Sequence, residues 1–310
     1  MACTGDNGVL NGGMSIASRI QLQDGDTPQG LAFAVTAYVM WGIFPLYIKL
    51  LSHISPLEVL VHRVLWSVPI AAAVLIWMGR TRDFRAALRD PKMLGMHLVL
   101  AILISVNWGI YIWAVVNDRV LDTALAYYIN PLFSVFLAAV LLRERLTRLQ
   151  WSAIGLAALA VVVLTVEQGN LPWVSIALPV LFGLYGYFKK QLAIGPNQGF
   201  LLEILILVPP ALLYWVWLGG RGESTFTANL WLFLGCGVIT ALPLLFYGNA
   251  AKLLRLSTLG ILQYIAPTLI FLLGVFLYNE PFGIGRAIAF PMIWLALVLY
   301  TISMLRGADG

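Results

Sequence analysis

The sequence predicts an all-α membrane protein with ten transmembrane helices, arranged as two inverted five-helix repeats. Three observations predict it. First, 61% of the 310 residues are hydrophobic and only 11% are charged, whereas soluble domains carry about 25% charged residues. Lipid is therefore the expected solvent. Second, ten apolar stretches approach the ~20 residues needed to cross a bilayer, and none alternates as a barrel strand would. Third, residues 121–146, LDTALAYYINPLFSVFLAAVLLRERL, recur without gaps at 257–282 as STLGILQYIAPTLIFLLGVFLYNEPF. Superposed, Tyr128-Ile129 meets Tyr264-Ile265, Pro131 meets Pro267, and Glu144 meets Glu280. Leucines recur by chance in apolar sequence; a YIxP with a glutamate at a fixed distance does so far less readily, so the pattern reads as an internal duplication.

Taken in order, residues 1–29 are polar and glycine-rich. No basic segment leads into an apolar core there, so the stretch does not read as a signal peptide. It reads as a disordered cytoplasmic tail. The predicted spans are 30–50, 57–78, 95–116, 122–142 and 150–167 in a first repeat, 30–167. A second repeat, 172–305, holds 172–190, 200–219, 230–251, 257–278 and 284–305. Short gaps rich in Pro, Asp, Asn and Arg separate them, as expected of helix ends.

The gaps also carry the orientation. Arg80, Arg82, Arg85, Arg89, Lys92, Arg143, Arg145, Arg148, Lys189, Lys190, Lys252, Arg255 and Arg306 fall on one side of a ten-helix chain. Lys49, Arg119 and Arg221 lie near the other side. Cytoplasmic loops are the ones enriched in Lys and Arg, so both termini are expected in the cytoplasm. The net charge of +5 thus points to lipid headgroups, and nucleic acid is not expected as a partner. Cys3 and Cys236 lie in a polar tail and an apolar run, which makes no disulfide framework. Five helices separate each repeated element from its copy, and an odd number inverts the second copy. Inverted five-helix halves are a transporter device, since exchanging conformations between them opens a midplane site to alternate sides. Tyr111 and Tyr247 obey the same shift, and Glu58 resembles Glu203.

Polar residues inside apolar runs are the candidate site. Pro131 and Pro267 each free the carbonyl four residues earlier, of Tyr127 and Gln263. These kinks either line a polar cavity or serve packing. Tyr128 and Asn130 flank the first proline, Gln263 and Tyr264 the second, and Asn107, Trp108, Tyr111 and Tyr247 add further faces. Together they form either a hydrogen-bonding aromatic pocket for an amphipathic solute or interhelical hydrogen bonds. Trp41 is a deep tryptophan, unlike those at the predicted interfaces. Arg63 either binds a substrate carboxylate or pairs with Glu58. His62 either couples transport to protons or simply hydrogen-bonds. Lys49 and Lys190 are snorkelling anchors or gating contacts. Glu144 and Glu280 are gate ion pairs or solvated helix ends.

Several blocks carry a family resemblance: AYVMWGIFPLYIK (37–49), HRVLWS (62–67), NWGIYIWAV (107–115), YYINPLFSVFLAAVLLRERL (127–146) and RLSTLGILQYIAPTLIFLLGVFLYNE (255–280). Over roughly 30–305 they resemble the RarD, chloramphenicol-sensitivity group of the EamA drug/metabolite transporter superfamily. The resemblance implies a multi-pass inner (plasma) membrane permease that exports or exchanges small amphipathic metabolites or drugs. It also favours a structural role for the repeated glutamate.

Rival classes find less in the sequence. No HExxH, GxSxG or Cys/His metal spacing occurs, so an intramembrane enzyme is not expected, nor a metal or cofactor. A channel would show a charge ring or filter-like loop. Without a nucleotide-binding loop, transport is expected to be secondary. Alternating access would use helices 1–4 and 6–9, leaving helices 5 and 10 as peripheral supports or homodimer contacts.

Overall fold

The computed structural model describes residues 26–308 apart from 80, 142, 144, 193 and 255; the predicted tail up to residue 25 and Glu144 lie outside the described residues. The described chain is helical throughout, without strands. It runs α1 (Pro28–Gly42), α2 (Phe44–Leu50), α3 (Pro56–Trp77), α4 (Thr81–Ala87), α5 (Pro91–Val116), α6 (Val120–Leu141) and α7 (Arg148–Gln168). It continues α8 (Trp173–Lys190), α9 (Pro196–Gly220), α10 (Leu230–Leu253), α11 (Leu256–Leu262), α12 (Ile265–Leu272) and α13 (Ile284–Ala308).

Local chemistry sets the boundaries. Proline opens α1, α3, α5 and α9, where its missing N–H costs nothing. Thr27 accepts from Gly30 N at 3.0 Å, and Asp90 accepts from Lys92 and Met93. Thr147 and Gln150 close a reciprocal capping box at α7, which ends on Gly169 at φ 67. The predicted loop 79–94 contains the short helix α4. The first span breaks at Ile43, just ahead of Pro45, and becomes α1 plus α2.

Among the described residues nine helices are long and apolar enough to cross a membrane. The predicted tenth, α8, ends on Lys189 and Lys190 and carries Ser175, Pro179, Gly183 and Gly186. These residues dilute its hydropathy below that of the other nine. It nonetheless packs against α5 and α6.

The two predicted halves interleave. The pairs α1–α10, α3–α10, α3–α9, α5–α9 and α6–α12 all join one to the other. The α3–α10 crossing is close: a Cβ on Gly237 would fall on the Trp66 backbone carbonyl. The last spans, α7 and α13, pack on each other and only lightly on the rest.

Arg143 and Asn279, equivalent under the repeat shift, both adopt positive φ, 56° and 49°. Each directly precedes the repeated glutamate. The prolines behave differently, however. Helix α6 runs on through Pro131. The equivalent span breaks at Gln263-Tyr264, four residues before Pro267, and closes with a π-helical turn, Leu273–Leu277.

Candidate functional site

The site is built around a buried cation. Arg63 sits at the eighth position of α3 and is 7% exposed. Its Nε donates to Thr240 Oγ1 of α10 at 2.8 Å. Thr240 Oγ1 itself donates to the Cys236 carbonyl at 2.8 Å, leaving its lone pairs for the arginine. The guanidinium lies over the rings of Trp108 and Phe44, 4.2 and 4.8 Å from their centroids. Cation–π attraction holds a desolvated guanidinium there. Nη1 has no protein partner, and no described carboxylate makes an ion pair with Arg63.

Glu58, the partner the sequence offered, is engaged elsewhere. Its oxygens accept from Thr225 N at 2.8 Å, Thr225 Oγ1 at 3.0 Å and Ser224 Oγ at 3.3 Å. It stands five positions before Arg63, so the two occupy different faces of α3.

Aromatic and amide groups surround the cation. Tyr111 stacks on Phe44 at 5.5 Å and meets Tyr127 edge-on at 5.8 Å, while its hydroxyl is buried without a protein partner. Tyr127 then joins Asn107 and Asn130 around a space of ≈ 10 Å³, closed by Leu178, Pro179 and Phe182. That is room for about one water. Asn107 Nδ2 donates to the Leu178 carbonyl at 3.0 Å, and Asn130 Oδ1 is buried without a protein partner. Arg63, Asn107, Trp108, Tyr111 and Asn130 therefore fall in one neighbourhood at the junction of α3, α5, α6, α8 and α10.

The other predicted residues are placed differently. Tyr128 and Tyr264 line a separate cavity of ≈ 410 Å³ between α6, α12 and α13, with Thr268, Trp294 and Thr301. There the Tyr128 and Thr268 hydroxyls lie 2.7 Å apart, and Tyr264 OH has no protein partner. Gln263 turns its amide to the Gly260 carbonyl at 2.9 Å. Tyr128, Asn130, Gln263 and Tyr264 thus do not converge on a single void. Trp41 and Tyr247 pack together at 5.7 Å with Tyr38. His62 is enclosed by Phe226, Phe233 and Trp215, and neither ring nitrogen has a protein partner. Lys49 pairs with Asp118 and lies over Tyr278. Lys190 is exposed; its neighbour Lys189 is the one that turns inward.

Glu280 is buried and caps a helix of the other half. Its carboxylate accepts from Val120 N and, at 2.9 Å, from Leu121 N, the first residues of α6. Burial pushes its carboxyl above the ordinary carboxylate range, while those N–H groups and Arg286 pull it down. Next to it Arg286 donates to Asp122 at 2.9 Å, and Arg119 pairs with Asp122 at 3.1 Å.

Sequence reasoning passed over Phe44 and Thr240. Both are common residues of apolar helices, and nothing in their spacing marks them. The cluster of His97, Glu203, Lys189 and Tyr185 carried one signal, charged and titratable residues close to apolar runs.

Known proteins place this chain in a family. The sequence profile of the EamA-like transporter family matches residues 28–166. An uncharacterized transporter of Vibrio cholerae is 44% identical over 290 residues, covering 92% of this chain and 96% of its own. Protein RarD of Streptomyces exfoliatus is 42% identical over 283 residues, covering 90% of each chain. Protein RarD of Escherichia coli is 37% identical over 279 residues, 88% of this chain and 94% of its own. A crystal structure 19% identical in sequence superposes with a TM-score of 0.59, covering 91% of this chain and 99% of the other; it speaks to the fold alone.

Proposed function

Because this chain belongs to the RarD group of the EamA-like transporters, we propose that it is a secondary transporter working by alternating access. It exports or exchanges small amphipathic metabolites or drugs, and Arg63 binds an acidic group of the cargo. The single observation that carries this reading is the buried Arg63 guanidinium with no described carboxylate beside it. Desolvating an isolated charge costs several kcal/mol, and such residues within a membrane bundle mark substrate paths. Phe44, Trp108, Tyr111 and Tyr127 supply flat apolar surface around the cation. A solute carrying a carboxylate and a ring matches both features.

The two halves meet at this point: α3, α5 and α6 come from one, α8 and α10 from the other. Relative motion of the halves would therefore open it. The paired positive φ at Arg143 and Asn279 supports the duplication behind such motion, and α8 serves as the tenth crossing. Both termini lie in the cytoplasm of a bacterial cell.

A thermal-shift screen of purified protein against amino acids, aromatic carboxylates and amphenicols tests the reading. Aromatic carboxylates should stabilise the parent and leave Arg63→Gln unmoved. Equal stabilisation of both proteins would place the site elsewhere, and so would the absence of any response to the carboxylates.

A further inference from the structure

A second buried charge cluster lies toward the basic end of the bundle, and the Arg63 site does not use it. Glu203 is 1% exposed and His97 0%. Glu203 Oε2 accepts from Tyr185 OH at 2.8 Å, and Lys189 Nζ lies 3.2 Å from Oε1. His97 Nδ1 approaches the same Oε1 at 3.3 Å, but out of hydrogen-bond alignment, so neither imidazole nitrogen has a protein partner. Gly199 leaves the space for the ring: a Cβ there would stand 3.1 Å from His97 Cε1.

The placement mirrors Arg63. Arg63 and Glu203 are each the eighth residue of a helix that opens on proline, α3 and α9. Arg63 reaches Thr240 on α10, whereas Glu203 reaches His97 on α5. Counting spans by fives, α3 corresponds to α9 and α10 to α5. One half thus presents a buried cation and the other a buried anion, each facing a residue of the opposite half.

We propose that the His97–Glu203–Lys189–Tyr185 cluster is the binding site for a coupling proton, taken up on His97. Lys189 and Glu203 already balance each other, so the unpartnered ring nitrogen of His97 is the open acceptor. A hydronium ion gives up one O–H bond: its proton adds to the imidazole lone pair at Nδ1, and a water molecule is left behind. The imidazolium then faces Glu203 Oε1 at ion-pair distance. Lys189, 24% exposed at its side chain, keeps its own charge partly solvated, which limits the cost of the added positive charge.

The titratable groups of the neighbouring elements have other surroundings. On α3, Glu58 holds the Ser224-Thr225 loop, His62 lies among aromatic rings and Arg63 reaches Thr240; on α6, Asp122 pairs with Arg119 and Arg286, Tyr127 meets Tyr111 and Tyr128 meets Thr268. Helix α4, packed on α9, brings Arg85, and Lys190 is exposed. Because His97 belongs to one half and the other three residues to the second, binding the proton ties the halves together at this end. Losing it loosens them. This extends the transport reading, but its test uses protons alone, so the two can fail separately.

The experiment is a pH jump on a solid-supported membrane carrying the full-length protein in phosphatidylethanolamine/phosphatidylglycerol vesicles, without solute. Stepping between about pH 8 and about pH 5 spans the range in which imidazole changes charge. The parent should give a transient proton-displacement current. His97→Gln and Glu203→Gln should reduce it to the level of empty vesicles, while Gly155→Ala on α7, outside both clusters, should retain it. Size-exclusion and thermal profiles confirm folding, and if Glu203→Gln fails to fold, His97→Gln decides. No current from the parent, or a parent-sized current from folded His97→Gln, would overturn the proposal.

Discussion

Arg63 was legible as an anomaly because a charge stands out in an apolar run. What it contacts was not. The sequence left open a structural pairing with Glu58, which fails because Glu58 holds the Ser224-Thr225 loop. Phe44 and Thr240 became visible only once α2 and α10 were brought together in space. The role of the cation has a measurable consequence. A hydrogen bond to a charged group contributes about 1.5–3 kcal/mol, so Arg63→Gln should weaken binding of a carboxylate ligand by at least about tenfold. Arg63→Lys should recover only part of this, because a point charge lacks the guanidinium's planar stacking on Trp108 and Phe44. Calorimetric titration with the best ligand of the thermal screen measures both. Equal affinities in all three proteins would remove Arg63 from the binding site.

At the scale of elements, the helices and their proline starts could be read directly, while their departures from regularity could not. Two prolines at equivalent positions gave one continuous helix and one broken span. The freed carbonyl is accommodated differently in each packing environment, and no local pattern announces which. The role of Glu280 was equally hidden: its partners are backbone N–H groups of α6, which carry no sequence signature. Glu280→Ala should leave Val120 and Leu121 N–H groups uncapped and cost about 1–3 kcal/mol, read as a fall in melting temperature in detergent. An unchanged melting temperature would mean water replaces the cap without cost. The α3–α10 crossing gives a contrasting pair. Gly237→Ala should destabilise by about 1–3 kcal/mol, since the new methyl must displace the Trp66 backbone. Gly155→Ala on α7 has open space around its Cβ and should be neutral, or stabilising by up to about 1 kcal/mol through helix propensity. Comparable losses at both positions would show that the crossing is not close-packed as described.

At the scale of the whole molecule, composition and span length sufficed for the all-α membrane class. They stopped short of the polar interior, because which faces of many similar apolar helices meet depends on packing. The predicted pocket residues accordingly divide among the Arg63 junction, the larger cavity beside α13 and the aromatic group of Trp41 and Tyr247. The loop charges lead to a test of orientation. In a Cys236→Ala background, Arg85→Cys and Lys190→Cys should resist an impermeant thiol reagent in intact cells, while Glu223→Cys should react. Reaction of Arg85→Cys from outside would invert the topology.

The central claim is that solutes cross this protein through the Arg63 junction. It is tested most directly by exchange flux in proteoliposomes loaded with an aromatic carboxylate that stabilises the purified protein, with the same compound radiolabelled outside. The account predicts saturable exchange by the parent, and exchange near the protein-free background for an equal amount of folded Arg63→Gln. Exchange by Arg63→Gln at the parent's rate, or none by the parent, would contradict it.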